Sequence, residues 1–159
     1  MKASTGILAA SLMISGCSKQ EPQGKVLEPM EVTFNFDDEF GVDRSTFSPV
    51  IVWNRVAESG DYSVQIAAGV DPLIDQSSER LQSQGFQGGG YSWQAMLRQS
   101  LRDDGRNPDD GIKWDSEGDV MVTYMKSPEL AALVAQHAQS FLTDEDRETV
   151  LSSTAKGME

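Results

Sequence analysis

The sequence predicts an α+β domain in which an antiparallel sheet, made from two hairpins and an N-terminal strand, carries about four helices packed on one face. Three observations predict it. Runs that alternate apolar and polar residues come in pairs around short Gly-bearing turns. Asp-Pro and Ser-Pro pairs open segments whose apolar residues recur at helical spacing. The order is strand, hairpin, two helices, hairpin, two helices, with no internal repeat, and 31–159 is expected to hold one domain.

The first thirty residues stand apart from that domain. Lys2 precedes a short apolar run, Gly6 to Ile14, and small residues follow, which is the layout of a secretory signal peptide over 1–16. The run is too short to span a bilayer, which takes about 20 apolar residues. Ile14-Ser15-Gly16-Cys17 resembles the bacterial lipoprotein cleavage box. That resemblance implies an acylated Cys17 as the first mature residue, a membrane anchor facing the periplasm, and, with Ser18 next to it, sorting to the outer membrane. The segment 17–30, with Pro22, Gly24 and no periodicity, reads as a disordered tether. Cys17 is the only cysteine, so the exported domain has no disulfide and no thiol nucleophile.

Within the domain, Glu31 to Asp37 alternates Val32, Phe34 and Phe36 with Thr33 and Asn35, a half-buried strand by pattern. Asp37 to Arg44 is expected to be a charged loop. Pro49 to Ala57, with Val50, Val52 and Trp53, and the alternating run Tyr62, Val64, Ile66 form the first hairpin about Ser59-Gly60. Asp71-Pro72 starts a helix whose stripe is Leu73, Ile74, Ser77, Ser78 and Leu81. Ser92 is expected to cap the next, with stripe Trp93, Met96, Leu97, Ser100 and Leu101 ending near Gly105. Gly111 to Asp115 and Val120 to Met125 form the second hairpin. Ser127-Pro128-Glu129 opens a helix with stripe Leu130, Leu133, Val134, His137, Ala138 and Phe141, and a short helix runs from Thr143 toward Ala155.

Between the first two helices lies the least ordinary stretch, Gly85-Phe86-Gln87-Gly88-Gly89-Gly90-Tyr91-Ser92-Trp93. Gly permits backbone angles and close approaches that a side chain forbids, while Phe86, Tyr91 and Trp93 each bring a large apolar area to bury. A flexible linker lacks such aromatics. Gly85, Phe86, Gly88, Gly90, Tyr91 and Trp93 therefore read as a pinned structural hub.

Catalytic parts are scarce. His137, the only histidine, sits on an apolar helical stripe, where a core role is expected, and no Ser near it lies in a nucleophile-elbow context. One His without a spare Cys falls short of a zinc set. No catalytic residue, metal, cofactor or small-molecule substrate is expected. With 25 acidic against 13 basic residues the net charge is −12, which repels nucleic acid and anionic lipid. An acidic anchored surface suits a protein partner with a basic surface. The loop acids Asp103, Asp104, Asp109, Asp110, Asp115, Glu117 and Asp119 are the expected contacts.

The string Gly85-Phe86-x-Gly88-x-Gly90-Tyr91-x-Trp93, preceded by Trp53 and Tyr62-Ser63-Val64, resembles immunity protein family 51 of bacterial polymorphic toxin systems over Phe47 to about Ala155. The resemblance implies a small α+β protein that binds and neutralises a cognate toxin stoichiometrically, without an activity of its own. The leader and the added segment Glu31 to Ser48 depart from the simplest family pattern, and the leader implies a toxin acting in the periplasm. Inhibition of a basic hydrolase such as host lysozyme, or a structural envelope role, is the alternative expectation.

Overall fold

The computed structural model describes residues 32–155; the leader over 1–16, Cys17 and the tether over 17–30 lie outside the described residues. Five strands, β1 (Val42–Asp43), β2 (Ile51–Arg55), β3 (Asp61–Ala67), β4 (Lys113–Trp114) and β5 (Val120–Met125), form one sheet. Its order is β1-β2-β3-β5-β4 and every pairing is antiparallel. The helices are α1 (Val56–Ser59, a single turn), α2 (Pro72–Ser83), α3 (Gly90–Asp103), α4 (Pro128–Leu142) and α5 (Glu145–Ala155). The fold is α+β with an antiparallel sheet, as the pattern predicts.

One face of the sheet makes the core. Val50, Val52, Val64, Ile66, Met121 and Met125 pack against Ile74, Leu81, Trp93, Met96, Leu97, Val134 and Phe141 from the helices. Local chemistry sets where those helices begin. The Asp71 carboxylate accepts from the Leu73 N–H at 2.9 Å with Pro72 in the first turn of α2, and the Ser127 hydroxyl accepts from the Leu130 N–H at 3.2 Å with Pro128 opening α4. Each satisfies a donor that the first helical turn leaves without a backbone acceptor.

The glycine-rich hub is pinned more tightly than two helices require. Gly88 has φ +77°; its carbonyl accepts from the Ser78 hydroxyl and its N–H donates to Ser92 Oγ at 3.0 Å. A Cβ on Gly89 would lie 1.9 Å from the Gly118 carbonyl oxygen, and one on Gly90 would lie 2.1 Å from that of Glu117. The bare backbone thus admits a third element, the β4–β5 turn, onto the start of α3. Below it, Trp93 Nε1 donates to Ser77 Oγ (3.2 Å), which donates to the buried Glu148 carboxylate (2.6 Å), which also accepts from Arg80 Nε (2.7 Å). This chain ties α2, α3 and α5 together.

Several expectations are corrected. Residues 32–37 join no strand ladder, although Val32, Phe34 and Phe36 are half-buried in alternation; Phe34 and Phe36 pack on Tyr62 at ring separations of 6.3 Å. The alternation reflects side-chain burial, while the Asn35 N–H goes to the Asp43 carboxylate at 2.7 Å and not to a neighbouring strand. The expected charged loop contains β1, where Val42 and Asp43 pair with Trp53 and Val52 of β2, and Asp43 is 1% exposed. Its carboxylate also accepts from the Ser45 N–H (2.9 Å), the Thr46 N–H (2.9 Å) and the Thr46 hydroxyl (2.5 Å). Burial would raise its pKa, but these donors outweigh burial and lower it to about 2. The strand expected to reach Ala57 ends at Arg55, and α1 takes the turn, closed by Gly60 at φ +73°. Helix α3 starts at Gly90, before Ser92, since a Gly89 cap lets the turn approach. Tyr91 and Leu73 are exposed, at 42% and 41%, on the outer sides of their helices.

Candidate functional site

The structure brings Ser100, His137 and Asp104 together, from positions that no nucleophile-elbow pattern marks. Ser100 Oγ lies 2.8 Å from His137 Nδ1 and accepts from Arg147 Nη2 at 3.1 Å; Nε2 lies 3.5 Å from an Asp104 oxygen. The Asp104 carboxylate, an acceptor, faces Nε2 and so favours the tautomer with its proton there, which leaves Nδ1 to accept from the Ser100 hydroxyl. Ser100 is 1% exposed and His137 fully buried. A serine nucleophile must be reachable by substrate and face the proton-accepting base; here the hydroxyl is sealed between α3 and α4. Burial lowers the His137 pKa to about 4; Asp104 raises it, and Arg147 and Arg106 add to the lowering. His137 is thus the core residue that its stripe predicts.

Of the loop acids expected as contacts, Asp103, Asp109, Asp110, Asp115, Glu117 and Asp119 are exposed. Asp104 is not available in the same way. Its carboxylate is 3% exposed and held by Arg106 Nε at 2.8 Å beside His137, because the end of α3 turns it onto α4. Asp109 is paired with Arg98 at 2.8 Å, and Asp103 accepts from Gln99 Nε2 at 2.7 Å. Among the described residues, no three His, Cys, Asp or Glu side chains converge on a metal position.

A different surface stands out. Among the described residues no helix residue joins the sheet's second face to the core, and the strand registers draw one row across it: Val42, Trp53, Ser63, Tyr124 and Lys113, contributed by β1, β2, β3, β5 and β4. Residues paired across strands share a face, so Ile51, Gln65 and Val122 form the next row. Trp53 and Tyr124 are half-buried, with the small Ser63 between them completely covered. Gln65 Nε2 donates to Ser63 Oγ at 3.3 Å. Among the described residues the Trp53 indole N–H is buried with no acceptor, an unmet donor of the kind that costs stability and calls for a reason.

Two hollows meet at Arg55 on this side. One, about 590 Å³, is lined by Arg55, Asp61, Asp109, Lys113, Asp115 and Tyr124 among others; the other, about 380 Å³, runs past Trp53 and Gln65 to Phe40, which is 65% exposed. Over Tyr124 sit two cations, the Arg55 guanidinium 5.7 Å and the Lys113 ammonium 5.5 Å from the ring centre. Lys126, beside them, is taken by Asp61 at 2.6 Å, and its hydrogen bond holds that carboxyl below its ordinary range. The floor is therefore aromatic and basic, although the chain is acidic. Alternation in β2 and β5 signalled two faces, but nothing in it said which face the helices would leave bare.

Fold and site together define an antiparallel sheet backed by helices on one face, with Trp53 and Tyr124 half-buried on the other. No family model, curated protein or solved structure matches this chain. Among the described residues no helix is long and apolar enough to cross a membrane.

Proposed function

We propose that this chain is a lipid-anchored immunity protein that binds a periplasm-acting antibacterial toxin and neutralises it by covering a surface the toxin needs. One observation carries the binding part: among the described residues no helix packs on the second face of the five-stranded sheet, and there a hollow lined by Arg55, Lys113 and Tyr124, with Asp109 and Asp115 beside them, adjoins Trp53. Aromatic residues and Arg concentrate at the centres of protein interfaces, with polar rims that exclude water. The hub supports the same reading, since it holds the β4–β5 turn rigidly beside that face and so lowers the ordering cost of binding. The lipoprotein-type sequence at Cys17 supplies the tether that would keep the domain where an incoming toxin arrives.

Competition between the parent bacterium and a strain lacking this gene tests the reading. The deletion strain is expected to lose to its parent on contact and to recover when the intact gene is restored. Cys17→Ser is expected to move the protein out of the membrane fraction and to weaken protection. Equal fitness of parent and deletion strain in contact competition would overturn the proposal.

A further inference from the structure

The sheet face carries more than a general docking propensity, and its charges state what should sit at its centre. Lys113 has no carboxylate within ion-pair distance among the described residues, and Arg55 has only Glu58, at 3.6 Å and itself 75% exposed. The other nearby cations are committed, Lys126 to Asp61 and Arg98 to Asp109. Two cations thus share one ring, Tyr124, each within 6 Å of its centre and attracted to it. Around them stand acids: Glu39 and Glu58 at one end, Asp61, Asp109 and Asp115 at the other.

We infer that the partner is a protein presenting an Asp or Glu side chain, ringed by Lys or Arg, and that this carboxylate seats between Arg55 and Lys113 over Tyr124. The inference rests on the docking reading above. An anion there supplies the close carboxylate partner that both cations lack, and in a site closed off from water its hydrogen bonds to guanidinium and ammonium strengthen. The surrounding acids then meet the partner's basic ring, so charge complementarity runs from centre to rim and disfavours partners of uniform charge. A uniformly basic partner, by contrast, would press its own cations onto Arg55 and Lys113.

The test uses the full chain and a random-peptide display library as the probe. Enriched peptides are expected to carry one Asp or Glu flanked by Lys or Arg. Replacing that acid by its amide, or making Lys113→Gln or Arg55→Gln in the chain, should each weaken binding about tenfold or more. Both positions are on the surface, and an unchanged thermal midpoint checks the fold. Peptides that lose binding on Gln65→Arg, which fills the floor with bulk, but carry no acid would overturn the carboxylate inference and leave the docking face standing. Peptides indifferent to Gln65→Arg, Lys113→Gln and Arg55→Gln alike would overturn both.

Discussion

Replacing Gly90 by Ala should unseat the β4–β5 turn from α3. The added Cβ would lie 2.1 Å from the Glu117 carbonyl oxygen and 2.2 Å from that of Val120. Both atoms are backbone, and the turn they belong to is closed by the Glu117 N–H donating to Val120 at 2.8 Å, so neither can rotate away. Relief requires a backbone shift of over about 1 Å, since non-bonded carbon atoms settle about 3.5–4 Å apart. Overpacking of this kind costs about 1–3 kcal/mol. The bond from the Gly90 N–H to the Gly118 oxygen, 3.1 Å, is strained or lost at about 0.5–1.5 kcal/mol, while Ala regains up to about 1 kcal/mol of helix propensity. The expected net loss is about 2 kcal/mol, or a midpoint lower by roughly 8 °C. Two matched glycines serve as controls. Gly118 has nothing within 4 Å of an added Cβ, so Gly118→Ala should be near neutral; Gly85 has equally open space but φ +91°, so Gly85→Ala should cost about 1–2 kcal/mol from backbone strain alone. Urea unfolding followed by tryptophan fluorescence ranks the three. A Gly90→Ala midpoint no lower than that of Gly118→Ala would refute the close-approach account of the hub.

Acid should weaken the fold in two stages. The native pKa of His137 is about 4 against an ordinary 6.5, so below 6.5 the unfolded chain takes up the proton first; stability is lost as pH falls from 6.5 to 4, by roughly 3 kcal/mol. Asp43, lowered to about 2 from 3.8, contributes stability above 3.8 that disappears as pH falls through that interval. His137→Gln should flatten the first stage in urea midpoints taken at several pH values; an undiminished loss in that variant would assign it elsewhere. Glu148→Ala removes the acceptor shared by Ser77 and Arg80 and should cost about 3–5 kcal/mol, with Glu148→Gln milder because an amide oxygen still accepts from Ser77. Equal losses in the two variants, measured by urea unfolding, would mean that the hydrogen bond contributes nothing.

Two helix starts are spelled out locally and correctly. Asp71-Pro72 and Ser127-Pro128 are caps whose donors and acceptors lie within three residues of each other, so their chemistry is complete in the sequence. The alternation of β3 and the stripe of α4 likewise report one-sided burial by their own periods. Residues 32–37 show the limit of that logic: alternation measures which side chains are covered, and cover came from Tyr62 and Phe47 without any strand pairing.

The sequence by itself determined the fold class, the starts of α2 and α4, the core position of His137 and the need for bare backbone at Gly88 and Gly90, because each depends on residues a few positions apart or on the absence of a side chain. Tertiary structure decided that Asp104 turns inward to His137 while its neighbour Asp103 stays in solvent, that Ser77, which accepts from Trp93, donates to Glu148 71 positions away, and that Trp53, Ser63, Tyr124 and Lys113 line up on one face. Those outcomes follow from strand register and from which face of the sheet the helices cover, and both are settled by apolar surfaces meeting across the whole chain, at separations that no local pattern encodes.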